Sequence, residues 1–292
     1  MRYIYLISIL LLTTSIVPYK NIIIPKYDAA YVEVSSVQYK NEQYNVICMK
    51  RKDEKIKVKY FAAADFNGNN VYKRYGNWSA GKNIVLVSSG TYMDNNYNPV
   101  GLAIDNGICV NKTLSNDFDG LVIVYATGGM VASNLKDGDL TVKGGNVDNN
   151  KKLDIRGSAW DFQTFIKWAQ DQEATVFQTH LLVYKNGLKI SGINSSVKTA
   201  ERRFLAVCKD DSGNIIHVIV NRPDHTTLYE GAKNTLDFLN NYKDMEVIFM
   251  INLDTGYQDV SQFYNKDGTI NSTIKGQKDL STAINLLAYY FE

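Results

Sequence analysis

With 292 residues and 45% hydrophobic content the chain can bury a full-sized core, which excludes a disordered or fibrous protein. Its 32 basic and 30 acidic residues leave a formal charge of +2, scattered without long runs of one sign. That distribution excludes a surface dedicated to nucleic acid or to an anionic membrane.

Met1 and Arg2 precede an apolar run over residues 3–17, followed by Pro18, Tyr19 and Lys20. A charged start and a short apolar stretch are the marks of a secretory signal, and the run is short for a spanning helix, which needs about 20 residues. The expectation is a signal peptide over approximately residues 1–20, with export to the periplasm, the cell envelope or the exterior and no membrane span beyond that segment. A buried N-terminal strand is the alternative. Residues 21–292 are then expected to form one domain, with residues 21–83 as its N-terminal β-rich part. Cys48, Cys109 and Cys208 are too few and too dispersed for a disulfide framework or a metal cluster. Each sits in an apolar stretch and reads as core packing, with room for one disulfide at most.

In chain order, Tyr44-Asn45-Val46-Ile47-Cys48 and Ile56-Lys57-Val58-Lys59-Tyr60 alternate apolar with polar residues, as half-exposed strands do. Asp65-Phe66-Asn67-Gly68-Asn69 has some ligands of a calcium loop, but its glycine and terminal acid are misplaced and it reads as a turn. Asn77-Trp78-Ser79 and Asn111-Lys112-Thr113 fit glycosylation acceptors, which an Asn-rich chain produces by chance. Ile84-Val85-Leu86-Val87 is a short apolar run expected to be a central strand. Further strands are expected over residues 102–110, 121–125, 175–184, 204–207 and 215–220. The Gly/Asn/Lys-rich residues 143–157 read as a long loop, either a surface insertion or the rim of a cleft. Ser158 with Asp161 starts a helix whose Phe162, Phe165, Ile166 and Ala169 recur at helical spacing. Thr227-Leu228-Tyr229-Glu230 is a capping box, and Leu228, Ala232, Leu236 and Leu239 line one face of the helix behind it. A third helix is expected over residues 280–290. With no internal repeat and no linker, the fold class is α+β: a mixed, mainly antiparallel β-sheet packed with a few helices.

The most informative segment is Val247-Ile248-Phe249-Met250-Ile251-Asn252-Leu253, an apolar strand that runs into Asp254, Thr255 and Gly256. An ionised carboxylate is costly to bury without a partner, so an acid where a core strand ends points to a cleft. Asp254 serving only to cap the turn before Gly256 is the other reading. The order upstream is a strand over residues 178–183, a turn at Asn186-Gly187, and Arg202-Arg203 opening the strand over 204–207. A Ser212-Gly213-Asn214 hairpin turn, the strand over 215–220 and the capped helix follow. This arrangement, ending in Asn252-Leu253-Asp254-Thr255-Gly256, resembles the phosphodiester glycosidase family over roughly residues 84–291, more loosely over 110–175. Thr255 stands where the family has a first glycine, and Tyr257 and Gln258 stand where further Gly and Ser are typical. The early turn reads Ser88-Ser89-Gly90-Thr91-Tyr92, keeping a glycine and an aromatic and lacking the family's Asn.

The resemblance implies an exported hydrolase that cleaves a sugar C1–phosphate diester, acting on a sugar phosphate or an envelope glycan. A planar guanidinium can hold two phosphate oxygens, which makes Arg202 the expected clamp, with Arg203 as its substitute. Neighbours on a strand point to opposite faces, so at most one of the two faces the site. The leaving group is a phosphate oxygen and a weak base, so one carboxylate can suffice, and Asp254 is expected to activate water or stabilise the cationic sugar. His180 is a candidate acid or phosphate donor. Gly90 and Gly256 would let backbone N–H groups approach the ligand, while Ser88, Thr91, Asn252 and Thr255 supply polar contacts. Tyr92 and Tyr257 are candidate sugar platforms. His217 and His225 read as structural. No cofactor is expected, and a divalent cation is left open. A glycan- or sugar-phosphate-binding module on the same scaffold, without catalysis, is the rival reading.

Overall fold

In the computed structural model the described residues are 30–62, 70–138, 140–145, 147–148, 150–190, 198–256, 258–265 and 267–292. The expected signal segment and the turn at Asp65 to Asn69 lie outside them. Among the described residues, β-branched and aromatic side chains form three antiparallel sheets plus one two-stranded ribbon. The largest has seven strands in the order Val32–Tyr39, Glu42–Lys50, Ile215–Thr226, Ala200–Lys209, Glu246–Leu253, Leu181–Tyr184 and Gly187–Leu188. A second has the order Ile270–Lys275, Ser261–Tyr264, Asn83–Ser88, Leu286–Phe291 and Ile56–Phe61. The third runs Ile108–Asn111, Ala103–Asp105, Thr175–Thr179, Gly120–Val124 and Met130–Asn134.

Each sheet turns one face to a shared core. Ile47, Leu205, Ile219 and Ile251 of the first meet Val58, Tyr60, Leu86 and Tyr289 of the second and Val122 and Phe177 of the third. The opposite face of each sheet is covered by one helix. Leu228–Asn241 places Ala232, Phe238 and Leu239 on Phe204, Ala206 and Val218. Ala159–Asp171 places Phe165, Ile166 and Trp168 on Ile104, Leu121 and Val176. Val71–Ser79 places Val71 and Tyr75 on Phe61, Val87 and Ala288. Burying each of the larger aliphatic or Phe side chains contributes roughly 1.5–3 kcal/mol, so the helices act chiefly as lids on apolar sheet faces. The Thr227 and Ser158 hydroxyls accept the N–H groups of Glu230 at 3.1 Å and Asp161 at 3.1 Å, which closes two helix starts as the sequence pattern predicts.

Three expectations are corrected. Residues 280–290 do not form a helix: Leu280–Thr282 is a single 3-10 turn and Leu286–Phe291 is a strand. Leu287 and Tyr289 enter the shared core while Leu286 and Ala288 face the helix Val71–Ser79, so a strand apolar on both faces imitates a buried helix in sequence. Residues 102–110 fold as a hairpin of two short strands, turned at Asn106 and Gly107, both with positive φ. Residues 175–184 break at His180 into strands of two different sheets. The three cysteines are free thiols, with Cys48 and Cys208 buried and Cys109 half-buried.

His217, in the middle of Ile215–Thr226, is fully buried, with Nδ1 3.0 Å from the Tyr289 hydroxyl. Burial first, and the Arg51 charge second, hold its pKa down to about 3 against an ordinary 6.5. Between those values the unfolded chain takes up a proton that the folded one refuses, so stability declines as pH falls through that window. We expect the wild type to lose about 2 kcal/mol more than His217→Gln between pH 7 and pH 5, read from urea midpoints at both pH values. Parallel losses in the two proteins would show that the imidazole is not the titrating group.

Candidate functional site

The break at His180 and the end of the strand Glu246–Leu253 coincide in space. The Asn252 N–H donates to the His180 carbonyl at 3.3 Å, and the Thr179 hydroxyl donates to the Asn252 carbonyl at 2.8 Å. Two residues beyond Asn252, the backbone of Asp254 is held on both sides by the turn after Asn83–Ser88. Its N–H donates to the Gly90 carbonyl at 3.0 Å, and the Ser89 hydroxyl donates to its carbonyl at 2.5 Å. Asn285, fully buried, fixes that turn in its place: its Oδ1 accepts the Gly90 N–H and its Nδ2 donates to the Thr91 carbonyl, both at 3.0 Å.

A cleft of about 1010 Å³ opens over this junction. Asp254, Arg202 and His180 line it, as do Tyr92, Asn252, Thr255 and Gly256. Asp254 is 5% exposed. Its Oδ1 accepts the Gly256 N–H at 2.8 Å, so the side chain closes the turn as well as lining the cleft. Burial raises its pKa above the ordinary 3.8, against the lowering pull of the Gly256 N–H and the Arg203 charge. Asn252 donates from Nδ2 to the Tyr92 hydroxyl and, at 2.9 Å, to the Leu253 carbonyl; its Oδ1 is buried without a partner among the described residues. Burial, with the Asp254 charge second, raises the Tyr92 phenol well above its usual range. Thr255 donates to the Glu201 carbonyl at 2.9 Å.

Arg202 is half-buried, and donates from Nε to the Thr226 carbonyl at 3.2 Å and from Nη2 to the Lys198 carbonyl at 2.9 Å. Among the described residues no carboxylate pairs with it. Strand alternation sends Arg203 the other way, to the face that Leu205 shares with the core. There its guanidinium donates to Asp259 at 2.8 Å, Asn221 at 2.6 Å and the Val260 carbonyl at 3.2 Å. Arg203 is 4% exposed and is not a lining residue of the cleft, so it does not stand in for Arg202 there. Ser88 is fully buried between Ser261 and Leu287 of neighbouring strands and does not line the cleft either. Nor does Gly90. A Cβ at that position would lie 2.6 Å from Tyr60 Cε2 and 2.7 Å from Asn285 Oδ1, so its small size serves packing of the turn rather than approach of a ligand. Thr91 is buried too, donating to the Gln178 carbonyl at 2.5 Å. Tyr257 lies outside the described residues.

His180 stands edge-on to Tyr92 and Phe118, with ring centroids 5.4 Å and 4.7 Å away. Burial lowers its pKa from 6.5, opposed by the charges of Asp117 and Asp119. Phe118 and those two acids come from the loop before the strand Gly120–Val124. Gln178 pins the loop, accepting the Ser115 N–H at 2.9 Å and donating to the Ser115 and Phe118 carbonyls at 3.1 and 2.9 Å. Asp119 pairs with Arg156 at 2.8 Å and Lys136 at 2.5 Å. The Asp117-Phe118-Asp119 triplet, two acids around an aromatic just before a strand, is the signal that could have found it. Lys189, Lys198, Asp94 and Leu228 are other lining residues missed from sequence. Among the described residues no three His, Cys, Asp or Glu side chains gather as a metal site. No described helix is long and apolar enough to cross a membrane.

Fold and cleft together define an α+β protein of antiparallel sheets, with an arginine and a buried carboxylate sharing one opening. No protein-family profile matches the chain, and no curated protein matches it. Among solved structures it is similar to the catalytic domain of zebrafish N-acetylglucosamine-1-phosphodiester alpha-N-acetylglucosaminidase, auto-inhibited by its pro-peptide. That match has 13% identity over 89% of this chain and 82% of that one, with a TM-score of 0.49. It is also similar to a hypothetical protein from Synechocystis, at 11% identity over 89% of this chain and 62% of that one, with a TM-score of 0.49. Such identities carry no residue-level correspondence.

Proposed function

We propose that the protein is an exported hydrolase of glycosyl C1–phosphate diesters and that the cleft over Asp254 is its active site. The observation that supports this reading most is that Arg202 and Asp254, far apart in sequence, line the same cleft while Arg202 has no carboxylate partner among the described residues. Arg202 holds the non-bridging phosphate oxygens with paired N–H donors. Asp254, ionised, takes the proton of a water that attacks the sugar C1. The C1–O bond breaks with its electron pair leaving on the phosphate, which departs as a phosphomonoester. That product's second ionisation lies near pH 6, so the guanidinium favours its dianionic form and no strong acid is needed. His180, whose protonation burial disfavours, offers one N–H to a sugar or phosphate oxygen. Tyr92 and Phe118 form an aromatic wall for the sugar ring, with centroids 5.3 Å apart. The apolar run over residues 3–17 supports export.

Release of sugar from glycosyl phosphodiesters by the purified chain tests the reading. We expect Arg202→Ala to cost about 10- to 100-fold in kcat/KM, as loss of charge-assisted hydrogen bonds worth about 1.5–3 kcal/mol implies. The acid limb of the wild-type kcat/KM profile should lie above the ordinary carboxylate value of 3.8, because burial of Asp254 opposes its ionisation. Unchanged turnover in Arg202→Ala would remove the clamp assignment. One observation favours binding without catalysis: the Ser88 hydroxyl is sealed in the core, away from the cleft, where the family resemblance implies a polar amide. Micromolar affinity for a sugar phosphate with no turnover would select that reading.

A further inference from the structure

The charges lining the cleft are unevenly compensated. Among the lining acids Asp119 is matched by Arg156 and Lys136, Asp94 accepts the Asn96 and Asn98 N–H groups at 2.8 and 2.9 Å, Asp254 accepts the Gly256 N–H, and Asp117 lines the cleft as well. Of the lining cations, Arg202, Lys198 and Lys189 are not paired with a carboxylate among the described residues. Lys198 is tied to Arg202 through its carbonyl, and Lys189 to the strand leaving His180 through its N–H, which donates to the Leu182 carbonyl at 2.8 Å. Both lysines therefore line the same cleft as Arg202 from backbone that is itself hydrogen-bonded. A phosphodiester brings one negative charge, which Arg202 alone can meet. The remaining cations have no counterpart in a substrate that is neutral beyond its phosphate. A volume of about 1010 Å³ is at the upper end of the ~300–1,000 Å³ usual for ligand pockets, with room for more than a sugar and one phosphate.

Resting on the glycosyl phosphodiester reading above, we infer that the alcohol on the far side of the scissile phosphate carries a second phosphate, held by Lys189 and Lys198. The sugar lies toward Tyr92 and Phe118, the scissile phosphate on Arg202, and the phosphorylated leaving portion along the two lysines. Because the lysines are exposed, their attraction is modest singly and screened by salt.

Two diesters of N-acetylglucosamine 1-phosphate test this with the full chain, one ending in glycerol and the other in glycerol phosphate. The phosphorylated ester is expected to have a KM about tenfold lower in dilute buffer, with the gap narrowing in 0.5 M salt. In the Lys189→Ala/Lys198→Ala double variant the loss should fall about tenfold more heavily on the phosphorylated ester. Equal KM values for the two esters, or a preference that survives the double substitution, overturn the inference and leave the hydrolase reading standing. If neither ester turns over, the hydrolase reading fails, and titration calorimetry with inorganic phosphate and pyrophosphate decides the inference. Tighter pyrophosphate binding that the double variant loses supports the two-phosphate lip, and equal affinities for the two anions overturn it.

Discussion

Replacing Asp254 by asparagine is expected to lower kcat on a glycosyl phosphodiester by about 10³-fold, within the range that a positioned general base contributes. The substitution keeps the shape and the oxygen that accepts the Gly256 N–H at 2.8 Å, so the turn should persist and the thermal midpoint should stay close to that of the wild type. Asparagine cannot accept a proton from water, and the loss should fall on kcat rather than on KM. Since the carboxyl is buried and its ionisation is disfavoured, removing the charge should even stabilise the fold slightly at neutral pH. A variant that is folded, binds sugar phosphate and turns over at the wild-type rate would leave Asp254 as a turn residue only.

The second large effect concerns stability. Arg203→Ala should cost about 3–5 kcal/mol, because it strands Asp259 as a buried, unpaired charge. The two side chains are each 5% exposed, and Asp259 is further tied to the Gln277 N–H at 2.9 Å. The double variant Arg203→Met/Asp259→Leu should recover much of that loss, since a buried ion pair is often replaceable by apolar groups of similar size. Urea denaturation of the three proteins reads both effects. The neighbouring Arg202→Ala, which leaves no buried charge behind, should unfold within about 1 kcal/mol of wild type. A stable Arg203→Ala that had lost turnover would reverse the roles given to the two arginines.

What could be read from sequence divides along physical lines. Helix starts at Ser158 and Thr227 were legible because a hydroxyl and an acid three residues later write a local hydrogen bond into the chain. Asp254 was legible because an acid interrupts an apolar run. The helix Val71–Ser79 was not, since Gly76 and Asn77 break the pattern and only Val71, Tyr75 and Trp78 turn inward. Strand Leu286–Phe291 was misread because it is apolar on both faces, a state set by what packs around it. The choice between Arg202 and Arg203 needed a register that alternation leaves ambiguous by one step. Asp117, Phe118, Lys189 and Lys198 come from loops, where no period exists to show which way a side chain points.

Asn285 and the strand it introduces also set an order of events. Leu286–Phe291 inserts between Asn83–Ser88 and Ile56–Phe61, and Asn285 grips Gly90 across 195 positions of chain. The paired segments lie far apart along the chain, and closing so long a loop is slow. The turn that clamps Asp254 is therefore incomplete until Leu286–Phe291 is in place, and the cleft is finished only once this long-range pairing has formed.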